Sequence, residues 1–420
     1  MRILVLTQVV PNPPDAGPKI KTHYALRMLA REHQVELLTF ARDEREVAAA
    51  EAMKSWCASV TIVPLRRRKL LEPYYLLRGW LSRTPFLVAR DYRPEFARLL
   101  EERLGTGEID VVHADQLSMA QYLPLAREYG ALTVFDAHNA VYDLVRDLAA
   151  HQQTPLHRLG AAIEWRLLRR FEGACCRASA LTLTVADADA DLLTAAAGAP
   201  FPAATVPIGI EVLQTETVVN NPAAVRLLSV ATMLYPPNIE ALRWFRDAIW
   251  PLVSAAHTEV GLDVVGSRPP DDLARWGTQD ARVAVPGYVA DLDELYRAAA
   301  LFIVPLRSGS GVRVKILEAM ARGIPVVSTS IGAAGLDLRH GEHLLIADTP
   351  EAFARAVLTL LGAPIFRQAL ACAARERVAT LYDWRYCCLP LLDAYRLLVA
   401  TPAPSRPQGI PEVALTSQVR

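Results

Sequence analysis

The chain has 420 residues, room for two large or three ordinary domains, and its 52% hydrophobic and 21% charged residues suit sizeable cores. Forty-five Lys and Arg against forty-five Asp and Glu leave no net charge, which excludes nucleic-acid binding through bulk charge and argues against a highly charged disordered chain. The six cysteines (Cys57, Cys175, Cys176, Cys372, Cys387, Cys388) include two adjacent pairs and no C-x-x-C, so neither a zinc site nor a disulfide framework is indicated and a reducing cytoplasm is expected.

Met1 to Val10 is apolar but carries one charge and runs into Pro11, Pro13 and Pro14 without a small-residue cleavage site, so it reads as a buried first strand and not as a signal peptide. No run reaches the ~18 uninterrupted apolar residues of a spanning helix, so membrane contact is expected to be peripheral. Ile3 to Thr7, Val35 to Phe40, Val60 to Pro64, Val111 to His113, Leu132 to Phe135 and Leu181 to Val185 read as strands. Between them lie helical patterns such as Ile20 to Arg31 and Ala161 to Arg177. The pattern breaks over 208–221, which predicts a linker. It restarts at Arg226 to Ala231, Gly261 to Val265, Val283 to Val285, Leu301 to Val304, Pro325 to Ser328 and Leu344 to Ile346. Such alternation predicts α/β architecture, with two doubly wound domains at 1–207 and 222–383. Residues 384–400 form an apolar final stretch, and the proline-rich 401–420 is expected to be a disordered tail.

Doubly wound sheets bind ligands beyond the carboxyl ends of their strands. The richest such loop runs from Pro305 through Arg307, Gly309 and Gly311 to a helix expected to open near Val312. Its free amides, with Arg313 and Lys315, suit a diphosphate. Glu318, farther along, could accept hydrogen bonds from sugar or ribose hydroxyls. Each residue alone is equally well read as a solvated helix start; the clustering favours the site. After the first strand, Gly17 allows close backbone approach and Lys19 could reach an anion, against a plain proline-rich connection. His113 with Asp115, and Asp136 with His138 and Asn139, follow two strands of the first domain. Of these, His138 is the better candidate for substrate contact or proton transfer. Residues 65 to 93 hold eight basic side chains against two acidic. Arg66, Arg67 and Arg68, interleaved with Tyr74 and Trp80, suit anionic headgroups or a lipid-linked acceptor as well as they suit a solvated basic helix over core aromatics.

Together these residues resemble glycosyltransferase family 4. The run Arg307 to Leu336, ending Gly332-Ala-Ala-Gly-Leu336, is similar to the family's donor-binding region. So are Leu227 to Asn238 with Trp244 and Phe245, and Val285-Pro-Gly-Tyr-Val289. The proline-rich Gly17 loop and Asp136-Ala-His-Asn139 resemble its amino-terminal parts. The likeness is to bacterial sugar transferases of exopolysaccharide and exosortase gene clusters. It implies the glycosyltransferase B fold: two Rossmann-like domains facing a cleft, hinged at the linker, with the final helix crossing back to the first domain.

The resemblance further implies a nucleotide sugar held mainly by the second domain and an acceptor held by the first, with no cofactor and no metal. Transfer with retention of configuration is expected, by front-face displacement in which the leaving phosphate helps to deprotonate the acceptor. Glu318 matches the second glutamate of the family's E-x7-E motif, a ribose ligand. The first falls at Ser310 and is missing. His138 matches a histidine contacting the transferred sugar, and Gly17 a glycine near the phosphates. Relatives place Arg and Lys after the first strand of the second domain; Thr232 to Asn238 has neither, so Arg307, Arg313 or Lys315 must supply that charge. The expected activity is transfer from a nucleoside-diphosphate sugar to a hydroxyl of a glycan or lipid-linked acceptor, in the cytoplasm or at the inner face of the plasma membrane. Alternatives are a sugar-nucleotide epimerase of the same fold and an inactive nucleotide-sugar-binding scaffold subunit.

Overall fold

A computed structural model describes residues 1–65, 67, 69–150, 154–218, 221, 223–309 and 311–400. Arg66, Arg68, Ser310 and the expected tail 401–420 lie outside the described residues. The chain forms two compact units, one of Met1–Gly209 with the chain from Cys387 onward, the other of Ile210–Tyr386.

The first unit is built on β1 (Arg2–Thr7), β2 (Gln34–Ala41), β3 (Ser59–Pro64), β4 (Val111–Asp115), β5 (Leu132–Ala137), β6 (Leu181–Thr184) and β7 (Ala203–Thr205). They pair in the order β3-β2-β1-β4-β5-β6-β7, every pair parallel. β1 and β4 are near-continuous buried runs because helices cover both faces of a parallel sheet. The short β7 has no apolar run and was not anticipated; it pairs only with β6, at Thr182 to Thr184.

The second unit repeats the plan with β8 (Arg226–Val230), β9 (Gly261–Val265), β10 (Val283–Gly287), β11 (Ala299–Val304), β12 (Val326–Ser328) and β13 (Leu345–Ile346). Their order is β10-β9-β8-β11-β12-β13, again parallel. Each sheet therefore reverses beside its first strand, at β1/β4 and at β8/β11. Diverging connections leave a crevice at such a point, and the candidate loops emerge there.

The final helix, Leu389–Ala400, packs on the helix Gly17–Leu29 and beside β7, so the first unit is completed by the end of the chain. Leu391, Leu392 and Tyr395 are buried there. Much of the stretch read as linker is ordered structure of the second unit. Ile210 N–H donates to Tyr382 O at 2.8 Å and Trp384 N–H to Ile210 O at 3.0 Å. The Asp383 carboxylate accepts from the amides of Val212 and Leu213, each at 3.1 Å. Trp384 to Tyr386 thereby belong to the second unit, and the returning segment starts at Cys387. Among the described residues no single helix is long and apolar enough to cross a membrane.

Candidate active site

In the first unit the ends of β4 and β5 are in register with Asp115 beside Asp136. Both carboxylates are buried, so each needs compensation. Lys21, from the helix Gly17–Leu29, forms an ion pair with Asp136. Thr22 Oγ1 donates to Asp115 Oδ1 at 2.8 Å, and Gln116 Nε2 donates to Oδ2 at 3.2 Å. Burial opposes ionisation of Asp136, but Lys21, His113 and His138 together outweigh it and hold the carboxyl well below its usual range.

His113, Asp115 and Asp136 each offer a ligand atom within 4.8 Å of the others, a spacing that suits a metal ion. The chain's own groups already engage those atoms. His113 Nδ1 lies 2.7 Å from the Tyr395 hydroxyl, and its Nε2 lies 3.4 Å from Asp136. His113 is thus enclosed, with both ring nitrogens engaged.

His138 is held differently. Its Nε2 lies 2.8 Å from Asp115 Oδ1. A carboxylate can only accept, so this nitrogen carries the proton. Nδ1 is left as an acceptor, and it has no hydrogen-bond partner among the described residues. His138 and Asn139 line a pocket of about 210 Å³ with Gln8, Pro18, Gln116 and Ser118. The following backbone is fixed by two acids: Asp189 accepts from Ala140 N–H at 3.2 Å, and Glu172 accepts from Val141 and Tyr142 N–H, each at 2.8 Å. Fully buried and without a counterion among the described residues, the Glu172 carboxyl is pushed up to about 8.

In the second unit β11 ends at Val304, and Gly309 and Gly311 turn the chain with φ of 105° and 83°. A side chain at 309 would also lie 2.8 Å from the Tyr235 hydroxyl and 3.0 Å from Arg313 Nη2, so this approach requires glycine. The helix opens at Val314, not near Val312, with Arg313 as its N-cap and no side-chain cap on its first amides. Lys315 Nζ lies 3.4 Å from Asn238 Oδ1, on the helix Pro236–Trp244 after β8. Burial first, then the Arg313 charge, lower the Lys315 ammonium to about 7. Burial likewise lowers the Arg313 guanidinium. Two cations and a helix N-terminus converge here, in surroundings that an anion would stabilise. Glu318 is half-buried one turn on. Burial, with the Glu318 charge as a smaller contribution, raises the Tyr296 phenol above its ordinary range.

The remaining expectations are met unevenly. Gly17 is the first residue of its helix, with an uncapped start behind it and no left-handed backbone. Lys19 pairs with Asp15 at 3.0 Å, which occupies the charge expected to reach an anion. Arg307 lies over the Trp244 ring at 5.6 Å and 3.8 Å from Glu240. Its charge is therefore balanced locally. Arg67 binds both oxygens of buried Asp91 at 3.0 Å. Tyr74 is exposed, whereas the Trp80 indole faces Gly160 of the helix Pro155–Ala178 and is not a surface group. The sequence did not single out Lys21, Thr22 or Glu172, and it gave Tyr235 and Asn238 only as part of the donor-region stretch Leu227 to Asn238. Lys21, next to Ile20 at the start of the helical pattern Ile20 to Arg31, was the one signal available, since a buried ammonium needs a carboxylate.

Comparison with known proteins assigns this geometry to a class. Sucrose-phosphate synthase from Thermosynechococcus elongatus superposes with a TM-score of 0.71 at 17% identity, over 95% of this chain and 100% of that one. Anabaena HepE, solved in complex with UDP and glucose, gives 0.64 at 16% identity, over 94% and 100%. The fold is that of the two-domain glycosyltransferase B class.

Family models carry the assignment further. One described as Glycosyltransferase Family 4 matches residues 22–212, and one described as Glycosyl transferases group 1 matches residues 224–363. The chain belongs to these glycosyltransferases. A protein of the Klebsiella pneumoniae cps region, described as uncharacterized, is 29% identical over 145 residues, 31% of this chain and 36% of its own length. D-inositol 3-phosphate glycosyltransferase of Nocardiopsis dassonvillei is 35% identical over 147 residues, covering 33% and 34%. Phosphatidyl-myo-inositol mannosyltransferase of Mycobacterium leprae is 29% identical over 160 residues, covering 37% and 42%. The matched stretches thus span well under half of each curated relative.

Proposed function

We propose that the protein transfers a sugar from a nucleoside-diphosphate donor to a hydroxyl of a glycan or lipid-linked acceptor, in cell-surface or exopolysaccharide synthesis. The observation that carries this reading is the convergence of Arg313, Lys315 and the uncapped helix start at Val314 behind the Gly309 turn. These groups stabilise the charge that develops on a leaving diphosphate, the role a divalent cation plays elsewhere. Glu318 would accept from the ribose hydroxyls. In the first unit, His138 Nδ1 would accept from a hydroxyl of the sugar, with Asp115 fixing the tautomer. Asp136 is consumed by Lys21 and is no general base. A retaining displacement in which the leaving phosphate takes the acceptor proton therefore suits these residues. One relative's place in a cps region and another's description as a phosphatidyl-myo-inositol mannosyltransferase support a surface-glycan role.

Calorimetry with uridine and guanosine diphosphates, followed by donor hydrolysis and product analysis, tests the reading. Glu318→Ala should weaken nucleoside-diphosphate binding about tenfold or more, the loss of one charge-assisted hydrogen bond. His138→Ala should leave diphosphate binding intact and reduce turnover about a hundredfold. Wild-type rates in both variants would overturn the assignment. Binding without turnover by the native protein would favour the scaffold, and an isomerised donor the epimerase.

A further inference from the structure

We propose that the outer face of the helix Glu72–Leu81, with the turn before it, is a docking surface for an anionic lipid bilayer. Leu70, Tyr74, Leu77 and Leu81 are 95%, 55%, 60% and 78% exposed. Tyr74, Leu77 and Leu81, at i, i+3 and i+7 of the helix, lie on one narrow stripe, and Leu70 belongs to the turn just before it. The opposite face is anchored. A side chain at Gly79 would meet Thr84 O at 2.7 Å, and the Trp80 ring lies 3.7 Å from where a side chain at Gly160 would begin. The helix is therefore fixed to the unit by its inner side, and with the turn before it holds four large apolar side chains in water.

The charge around the stripe selects the partner. Arg78 and Arg83 are exposed and pair with no carboxylate among the described residues, while Glu72 is the helix's one acid. Over 65–93 the sequence carries eight basic residues against two acidic in a chain of zero net charge. An apolar stripe flanked by unpaired guanidinium groups matches the interface of a bilayer with negative headgroups. The leucines enter the acyl boundary, the Tyr74 hydroxyl stays at headgroup level and the arginines meet phosphate. This surface is independent of the donor chemistry proposed above.

Co-sedimentation of the full chain with vesicles of phosphatidylcholine alone, and with equimolar phosphatidylcholine and phosphatidylglycerol, tests it. Binding should appear on the anionic vesicles and weaken as salt rises. Arg78→Glu with Arg83→Glu should reduce partitioning about tenfold or more, and Leu77→Asp with Leu81→Asp should abolish it. Unchanged far-ultraviolet circular dichroism and nucleoside-diphosphate binding would show that both variants are folded. No sedimentation with anionic vesicles, or equal binding by the variants, overturns the proposal. So does a concentration-dependent dimer that the leucine variant abolishes without any lipid binding, because the stripe would then serve a second copy of the chain.

Discussion

The Tyr395 hydroxyl lies 2.7 Å from Nδ1 of His113, joining residues 282 positions apart. Burial keeps the phenol protonated, with the Asp136 charge as a further cause. The Asp136 carboxylate can only accept, so the neutral His113 ring carries its proton on Nε2 toward it, and the Tyr395 hydroxyl donates to Nδ1. The last helix is thus coupled by a polar chain to the carboxylate that Lys21 neutralises.

Tyr395→Phe should leave His113 Nδ1 buried without a partner and cost about 1–3 kcal/mol of the first unit's stability. Urea unfolding followed by two probes, one in each unit, will check it, because two units need not unfold together. A loss confined to the second unit's transition would contradict the coupling.

Lys315 ties donor binding to pH. An ordinary lysine titrates near 10.5, and this one near 7. Between those values the unfolded chain holds the proton and the folded apo protein does not, so this residue makes the protein more stable as pH rises through the window. A bound diphosphate favours the ammonium. Binding at pH 8 should therefore take up close to one proton, seen as a dependence of calorimetric enthalpy on the buffer's ionisation heat. Lys315→Arg should bind without uptake. Equal uptake by that variant would place the titrating group elsewhere.

Glu172 predicts the opposite slope. Its carboxyl titrates near 8 when folded and near 4.5 otherwise. Between these values the folded state holds the extra proton, so its contribution to stability falls as pH rises from 4.5 to 8, by at most about 1.4 kcal/mol per pH unit. Glu172→Gln keeps an acceptor for one of the two amides and removes the titration. Melting temperatures at several pH values should show a flatter profile for the variant between pH 5 and 8. Parallel profiles would rule out Glu172 as the source.

The strand rhythm was legible because buried parallel strands are short β-branched runs separated by longer amphipathic stretches, a contrast visible without tertiary information. The Gly309 loop was legible for a similar reason: its glycines, cations and carboxylate are close in sequence. Thr232 to Asn238 lacks cations, and the structure meets that lack by bringing Arg313 to Tyr235 and Lys315 to Asn238, a long-range solution with no local pattern. The network around Asp136 was hidden in the same way, since Lys21 is 115 positions away. Arg307, Lys19 and Trp80 show that residue type tells what a side chain could bind, not which neighbour reaches it first. β7 offered three small residues and no signal.

The division of the chain has a consequence for its birth on the ribosome. The second unit is one continuous stretch, but the first begins at the amino terminus and ends with Leu389–Ala400. The first unit's closing helix is therefore made only after the whole second unit. Until those residues emerge, His113 lacks its phenol and the helix Gly17–Leu29 lacks its cover, an apolar face open for the time needed to synthesise the whole second unit.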